Sequence, residues 1–312
     1  MNGYIGLTDH SWYQFLLPRA RELGEVNFWK PSAGEFKAIA PGSPFIFKLK
    51  APYRAIAGYG IFARYVRLPI WLAWESFSQA NGVDSRQELE KAIFSYRKLE
   101  PGTSSMTTEI GCIMISQPVF FERERWVAPP GEWGNSIVSG KTMDLDTQEG
   151  HRIMADCARS AADSGLDWIQ QQWTATLQGA KYGSPILVQP RLGQGTFRSV
   201  VTQVYDRACA VTTEHSLPVL EAAHIVPYAQ EGEHDIKNGI LLRADIHKLF
   251  DAGYVTITPD YRFRVSSKLK DEFNNGKVYY AFQDRDVSVP ADPRDRPAKE
   301  KLEWHNREVF MA

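Results

Sequence analysis

The feature that most constrains this 312-residue chain is the stretch Pro218–Tyr254, PVLEAAHIVPYAQEGEHDIKNGILLRADIHKLFDAGY. Val219 to Ala223 reads as a short strand that delivers His224 to a turn at Val226-Pro227. A polar loop follows, then Asn238-Gly239 and the apolar run Ile240 to Leu242. Ala244 to Phe250 has the pattern of a short helix carrying His247, and Gly253 stops it. The predicted order of strand, loop, strand and helix gathers His224, Asn238 and His247 into one small unit. Of the 7 histidines in the chain, four (His215, His224, His234 and His247) fall within the 33 positions 215–247. Imidazoles so placed suit proton transfer near neutral pH and metal ligation.

These residues and their spacing resemble the HNH nuclease motif, the ββα-metal fold, in the variant whose first element reads EAAHIVP and whose last reads HKLFDAG. The resemblance implies phosphodiester hydrolysis with one divalent metal, Mg²⁺ or Mn²⁺. His224 would take a proton from the attacking water. His247 would hold the metal from the helix, where a divalent cation stabilises the phosphorane and the leaving oxygen. Asn238 would brace the loop between the strands and orient the site. One position departs from the family pattern. A carboxylate or histidine metal ligand commonly precedes the base, and here that residue is Ala223. Glu221, two residues earlier on the same strand face, and Asp251, four residues after His247 on the same helix face, are the candidate replacements.

Bulk properties permit this reading. The chain is long enough for two cores, and 43% hydrophobic with 23% charged residues is an ordinary globular composition. No run of 18 apolar residues occurs, so no membrane helix is expected. The start MNGYIGLTDHSW has no basic segment followed by an apolar core, which predicts a cytoplasmic protein. Cys112, Cys157 and Cys209 are far apart and form no CxxC pair, so neither a structural zinc nor a disulfide framework is expected. The net charge of −1 does not advertise a nucleic-acid binder, but nine Lys/Arg against three Glu lie between Arg19 and Arg67, a local excess of six.

The first 145 residues read as a separate α+β domain. Strands are predicted at Tyr4–Thr8, Pro44–Lys50, Ala55–Tyr65 and Ile110–Ser116, with a plain structural helix from Ser85 to Leu99 opened by a Ser85/Glu88 capping box. Asn27-Phe28-Trp29-Lys30-Pro31, Phe36-Lys37, Pro41–Lys48, Ile110–Ile113 and Pro118–Phe121 together resemble a PUA-like domain of the EVE type. That resemblance implies a bent β-barrel holding a modified nucleobase. A reader of this kind extrudes the base and stacks it between aromatic faces. Phe28, Trp29 and Tyr59 are the candidate pocket residues, with Trp29 expected in a loop. Lys30, Lys48, Arg64 and Arg198 are candidate phosphate contacts, with Arg191 and Arg207 further possibilities.

Residues 146–185 read as a helical linker, with Trp168 and Trp173 as anchors, and 186–312 as the nuclease domain. A hairpin is expected around Pro259-Asp260, and the tail from Pro290 is expected to strap the domain. The predicted whole is a modification-dependent endonuclease acting on double-stranded DNA that carries 5-methyl- or 5-hydroxymethylcytosine. It resembles restriction enzymes that attack foreign DNA, and a homodimer would allow both strands to be cut. Two other readings share the motif: a nuclease whose first domain reads another modification, RNA or duplex shape, and a binding protein with an inactive site.

Overall fold

The computed structural model describes residues 1–19, 22–99, 103–134, 137–162, 192–227, 234–274 and 276–312. Contacts divide the chain into two units, Met1–Thr196 and Phe197–Ala312. Among the described residues no helix is long and apolar enough to cross a membrane.

The first unit is built on a six-stranded sheet of β1 (Asn2–Thr8), β2 (Glu25–Lys30), β3 (Pro44–Leu49), β4 (Ile56–Pro69), β5 (Glu109–Phe120) and β6 (Gly140–Asp144). Its order is β2-β5-β4-β3-β1-β6, and β1 pairs parallel with β3 while the other neighbours are antiparallel. Register shifts within β4, at Tyr59/Ile61 and Phe62/Arg64, mark bulges that bend and twist the long strand. No closing β2–β6 pair is found among the described residues.

Strand alternation splits the buried side chains between two faces. Phe45, Phe47 and Leu49 of β3 enter one core with Trp12, Leu16 and Phe62. Ile46 enters the other with Ile5, Tyr59 and Phe121. The helix Gln148–Ala162 lays Ile153, Met154, Cys157 and Ala161 on that second core. The rest of the expected linker, with Trp168 and Trp173, lies outside the described residues, as does Arg191 of the expected nuclease domain.

Two strands differ from expectation. Asn27-Phe28-Trp29-Lys30 belongs to β2, paired with Gly111–Met114 of β5, rather than to a loop. The segment EVNFWK alternates only weakly because it is an edge strand, half-buried along Phe28 to Lys30. β6 was equally hidden, because GKTMD carries a single large apolar residue.

The second unit contains the predicted strand–strand–helix order. β7 (Leu220–His224) and β8 (Gly239–Arg243) pair antiparallel, with His224 opposite Gly239. The helix Ala244–Asp251 follows β8 directly and buries Ile246 and Phe250. A preceding helix, Gln194–Val204, puts Phe197 and Val201 into the same core. Gly239 is required for that approach, since a Cβ there would lie 2.5 Å from Val201 Cγ2. Gly253 ends the helix at φ +77°, and its carbonyl accepts from the Met311 amide at 3.0 Å. β9 (Val255–Ile257) and β10 (Phe263–Val265) form the expected hairpin.

The tail folds as the helix Lys299–Glu308 and buries Leu302 and His305. His305 stacks on Phe250 with ring centroids 3.7 Å apart. Its Nε2 donates to the Phe250 carbonyl at 3.1 Å, which leaves Nδ1 to accept from the Thr256 hydroxyl at 2.8 Å. Burial lowers its pKa from 6.5 to about 4, against the smaller upward pull of the Phe250 carbonyl. The folded state therefore keeps His305 neutral where the unfolded chain already binds a proton. Its contribution to stability is whole above about pH 6.5 and is lost as the pH falls towards about 4. Denaturant midpoints across that window should drop on acidification, and His305→Gln should flatten the slope. An unchanged slope would show that His305 is not the group responsible.

Candidate active site

The polar side chains of the site come from β7, from the segment that enters β8 and from the helix that follows it. Ala223, at the departure from the family pattern, is fully buried in the core and supplies no ligand. His224, the last residue of β7, is half-buried, and its ring stacks on Phe197 at 4.0 Å with the planes 11° apart. Its Nε2 lies 3.0 Å from Nδ1 of His234. Burial, then repulsion from His234 and His247 when they are protonated and from Lys301, lowers its pKa to about 4. The ring is thus neutral near pH 7 and has a lone pair to accept a proton.

Asn238 is fully buried and holds the loop rather than facing substrate. Its Oδ1 accepts from the Val226 amide and its Nδ2 donates to the Val226 carbonyl, both at 2.9 Å. Its own carbonyl accepts from the Ile225 amide, also at 2.9 Å. Three bonds therefore pin the chain just after His224.

His247 is flanked by both candidate carboxylates. Its Nδ1 is 2.7 Å from Glu221 Oε2, and its Nε2 is 3.3 Å from Asp251 Oδ2. The two nitrogens of one imidazole point away from each other, so Glu221 and Asp251 approach His247 from opposite edges of the ring. Consistently, no group of three or more His, Cys, Asp or Glu side chains among the described residues is arranged to hold a metal. The geometry separates the three expected ligands. Glu221 and His247 Nδ1 offer a donor pair on one side, and Asp251 orients the ring through Nε2 on the other. Two protein donors suit a hard divalent cation that completes its shell with water and phosphate oxygens.

Residues 209–258 match the family model described as HNH endonuclease. This segment is an HNH endonuclease domain. The chain therefore contains an endonuclease domain, and enzymes of this family generally use a divalent metal. No curated protein matches the chain. Among solved structures, the chain is similar to ASCH from Zymomonas mobilis, at 10% identity and a TM-score of 0.32 over 49% of this chain and 93% of that one. A point mutant of the same protein aligns at 9% identity and 0.34, over 49% and 96%. The modification dependent TagI restriction endonuclease aligns at 13% identity and 0.27, over 86% of this chain and 61% of that one.

Two neighbours of His224 escaped the sequence reading. His234 was visible four residues before Asn238, but nothing in the spacing pointed its ring at His224. Lys301 acts on His224 from the tail helix and lies 3.8 Å from Asp235, a proximity no local pattern could reveal.

The first unit holds a cavity of about 350 Å³ lined by Trp12, Phe28, Trp29, Lys30, Lys50 and Tyr96 among others. Of the expected pocket residues, Phe28 and Trp29 line this cavity. Tyr59 is not, being 2% exposed in the core on the other face of the sheet. Alternation along β4 sends it there, and the sequence alone did not show which face holds the cavity. Lys48 also fails as a phosphate contact, because it is 3% exposed with its ammonium over the Trp133 ring. Arg64 and Arg198 are partly buried, and both have partners. The helix Arg86–Arg97, expected to be purely structural, contributes Ala92 and Tyr96 to the cavity wall.

Two expectations follow for the nuclease site. His224→Ala should reduce cleavage by roughly 10²–10⁴-fold without loss of DNA binding, measured by single-turnover cleavage and by binding titration. Glu221→Gln and His247→Ala should raise the metal concentration needed for half-maximal cleavage. Asp251→Asn should do so less, within about 10–100-fold. Equal effects of all three would make Asp251 a direct ligand.

Proposed function

We propose that this chain is a cytoplasmic, modification-dependent DNA endonuclease. In this reading the first unit accepts a flipped, modified cytosine, and the second cuts the backbone with His224 as base and one Mg²⁺ or Mn²⁺ ion. The observation that carries the proposal is the cavity beside the aromatic side chains of β2, in a chain that also has an HNH domain.

The lining of the cavity suits a base. Trp29 is anchored by its indole N–H, which donates to the Asn81 carbonyl at 2.9 Å, and Tyr96 meets it edge-on with centroids 6.0 Å apart. At the cavity, Lys50 donates to Asp9 at 2.7 Å, and the Tyr96 hydroxyl donates to the other Asp9 oxygen at 2.7 Å. The carboxylate can accept from an exocyclic amine and the ammonium can donate to a ring carbonyl. Cytosine carries both groups on its Watson–Crick edge, whereas thymine lacks the amine and adenine the carbonyl. Leu7 and Ile113 supply apolar wall against which a 5-methyl group would be shielded from water. Lys30, also at the cavity, is the best placed of the candidate phosphate contacts.

At the nuclease site, Glu221 and His247 would hold the cation, which when bound supplies charge stabilisation for the phosphorane and the departing 3′ oxygen. The residues of the chain do the remainder. Phe197 holds the His224 ring flat, Asn238 fixes the backbone beside it, and His224 removes the proton from water. Lys301 adds positive charge near the base, where a phosphate would sit. A homodimer would bring a second site to the opposite strand, and destruction of foreign modified DNA is the biological role that fits.

The test is cleavage of matched duplexes containing cytosine, 5-methylcytosine or 5-hydroxymethylcytosine, with Mg²⁺, Mn²⁺ or EDTA. Metal-dependent cutting confined to modified duplexes is expected. Cutting of all three alike would retain the nuclease and discard the cytosine reader. Trp29→Ala should weaken binding to modified DNA by about tenfold or more, the order expected from loss of one base–aromatic stack, and plain DNA much less. Equal losses on both would make Trp29 a packing residue.

A further inference from the structure

The chain that returns from β7 to β8 lays a second imidazole against His224. The two rings lie 5.1 Å apart between centroids, with planes 57° apart and a 3.0 Å contact from His224 Nε2 to His234 Nδ1. Phe197 touches both, stacked on His224 and tilted 5.8 Å from His234. The charged and titratable groups acting on His224 are His234 from this loop, His247 from the helix Ala244–Asp251 and Lys301 from the tail helix. Among the described residues Nδ1 of His224 has no hydrogen-bond partner.

Proton counting selects one arrangement. A neutral imidazole has one N–H and one lone pair, so one ring of the pair donates and the other accepts. If His234 donated to Nε2 of His224, that lone pair would be occupied and the remaining proton would sit on Nδ1. His224 would then have no site to receive a proton from water. Only the other tautomer leaves it able to act. We infer that His224 and His234 form a dyad in which Nε2–H of His224 donates to Nδ1 of His234, so that Nδ1 of His224 is the atom that takes the proton. His234 is a positioning residue: it touches no reacting atom and fixes the tautomer and direction of the base.

The step balances. An O–H bond of water breaks and its proton goes to Nδ1 of His224. The freed electron pair forms the new P–O bond, and the P–O3′ bond breaks with its pair on the departing oxygen, which solvent protonates. The imidazolium that results keeps its Nε2–H on His234, which is neutral and accepts it without a change of hydrogen-bond direction.

The inference rests on His224 being the base, so the experiment includes His224→Ala. Rates under kcat conditions, KM for DNA and metal dependence would be measured on a cleavable duplex for the full-length wild type, His224→Ala, His234→Ala and His234→Asn. ¹⁵N-histidine NMR would report the tautomer of His224. His234→Ala should lose on the order of 10–100-fold in kcat, the range seen for other partners that orient a functional imidazole, with KM and metal dependence unchanged. His234→Asn places an amide oxygen where Nδ1 stands and should recover most of the loss. The His224 spectrum should show the proton on Nε2 in the wild type. Wild-type rates in His234→Ala, failure of Asn to restore activity, an altered metal requirement or an Nδ1–H tautomer would each overturn the dyad. Cleavage retained by His224→Ala would instead overturn the base assignment beneath it.

Discussion

The second unit depends on one amide. Asn238 clamps both backbone groups of Val226 and takes a third bond from Ile225, so the chain leaving β7 and the chain entering β8 are tied at one point. A buried amide with both ends satisfied in this way permits a single geometry, and an unsatisfied one would cost about 1–3 kcal/mol. Because the clamp sits beside the β7–β8 register, it also sets where His224 ends and where the loop carrying His234 returns. The aromatic face of Phe197 then limits the ring of His224 to one plane. Catalytic geometry here comes from backbone pinning plus a stacked ring, with few direct bonds to the base itself.

The two histidines of the motif are given different environments by the same small scaffold. His224 is desolvated and surrounded by positive neighbours, which favours the neutral form a base requires. His247 projects between Glu221 and Asp251, a negative setting that suits a cation. Two chemically identical side chains thus sit in electrostatically different surroundings; the carboxylates on His247 were candidates from their spacing, whereas His234 and Lys301 beside His224 were not. Ala223, where the family commonly has a ligand, packs into the core, and Glu221, two residues earlier, reaches His247.

Much of this was legible in the chain. The strand–strand–helix order, the helix stop at Gly253 and the i, i+4 pairing of His247 with Asp251 follow from local periodicity, and their bounds moved by only a residue or so. In the first unit, β1, β3, β4 and β5 and the capped helix from Arg86 were also legible, although β4 and β5 each run four residues past their expected ends. The edge strands β2 and β6 were not, because partly exposed strands lose the hydrophobic alternation that reveals a buried one. Tyr59 and Lys48 were misplaced for a related reason. Alternation states that neighbours face opposite ways, but says nothing about which side of a mixed sheet is packed and which is hollow.

The sequence by itself determined the chemical inventory and the local frame: which histidines, carboxylates and aromatic rings exist, and which short element carries each. Those properties are set by nearest neighbours along the chain, through helical and strand periods, turn residues and caps. Only the tertiary structure decided the partners. His234 and Phe197 against His224, Lys301 reaching it from the tail, Glu221 on His247, and Tyr96 beside Trp29 all join residues from separate elements. Such contacts arise from how elements pack, where distance in space is uncoupled from distance in sequence, and no local pattern encodes them.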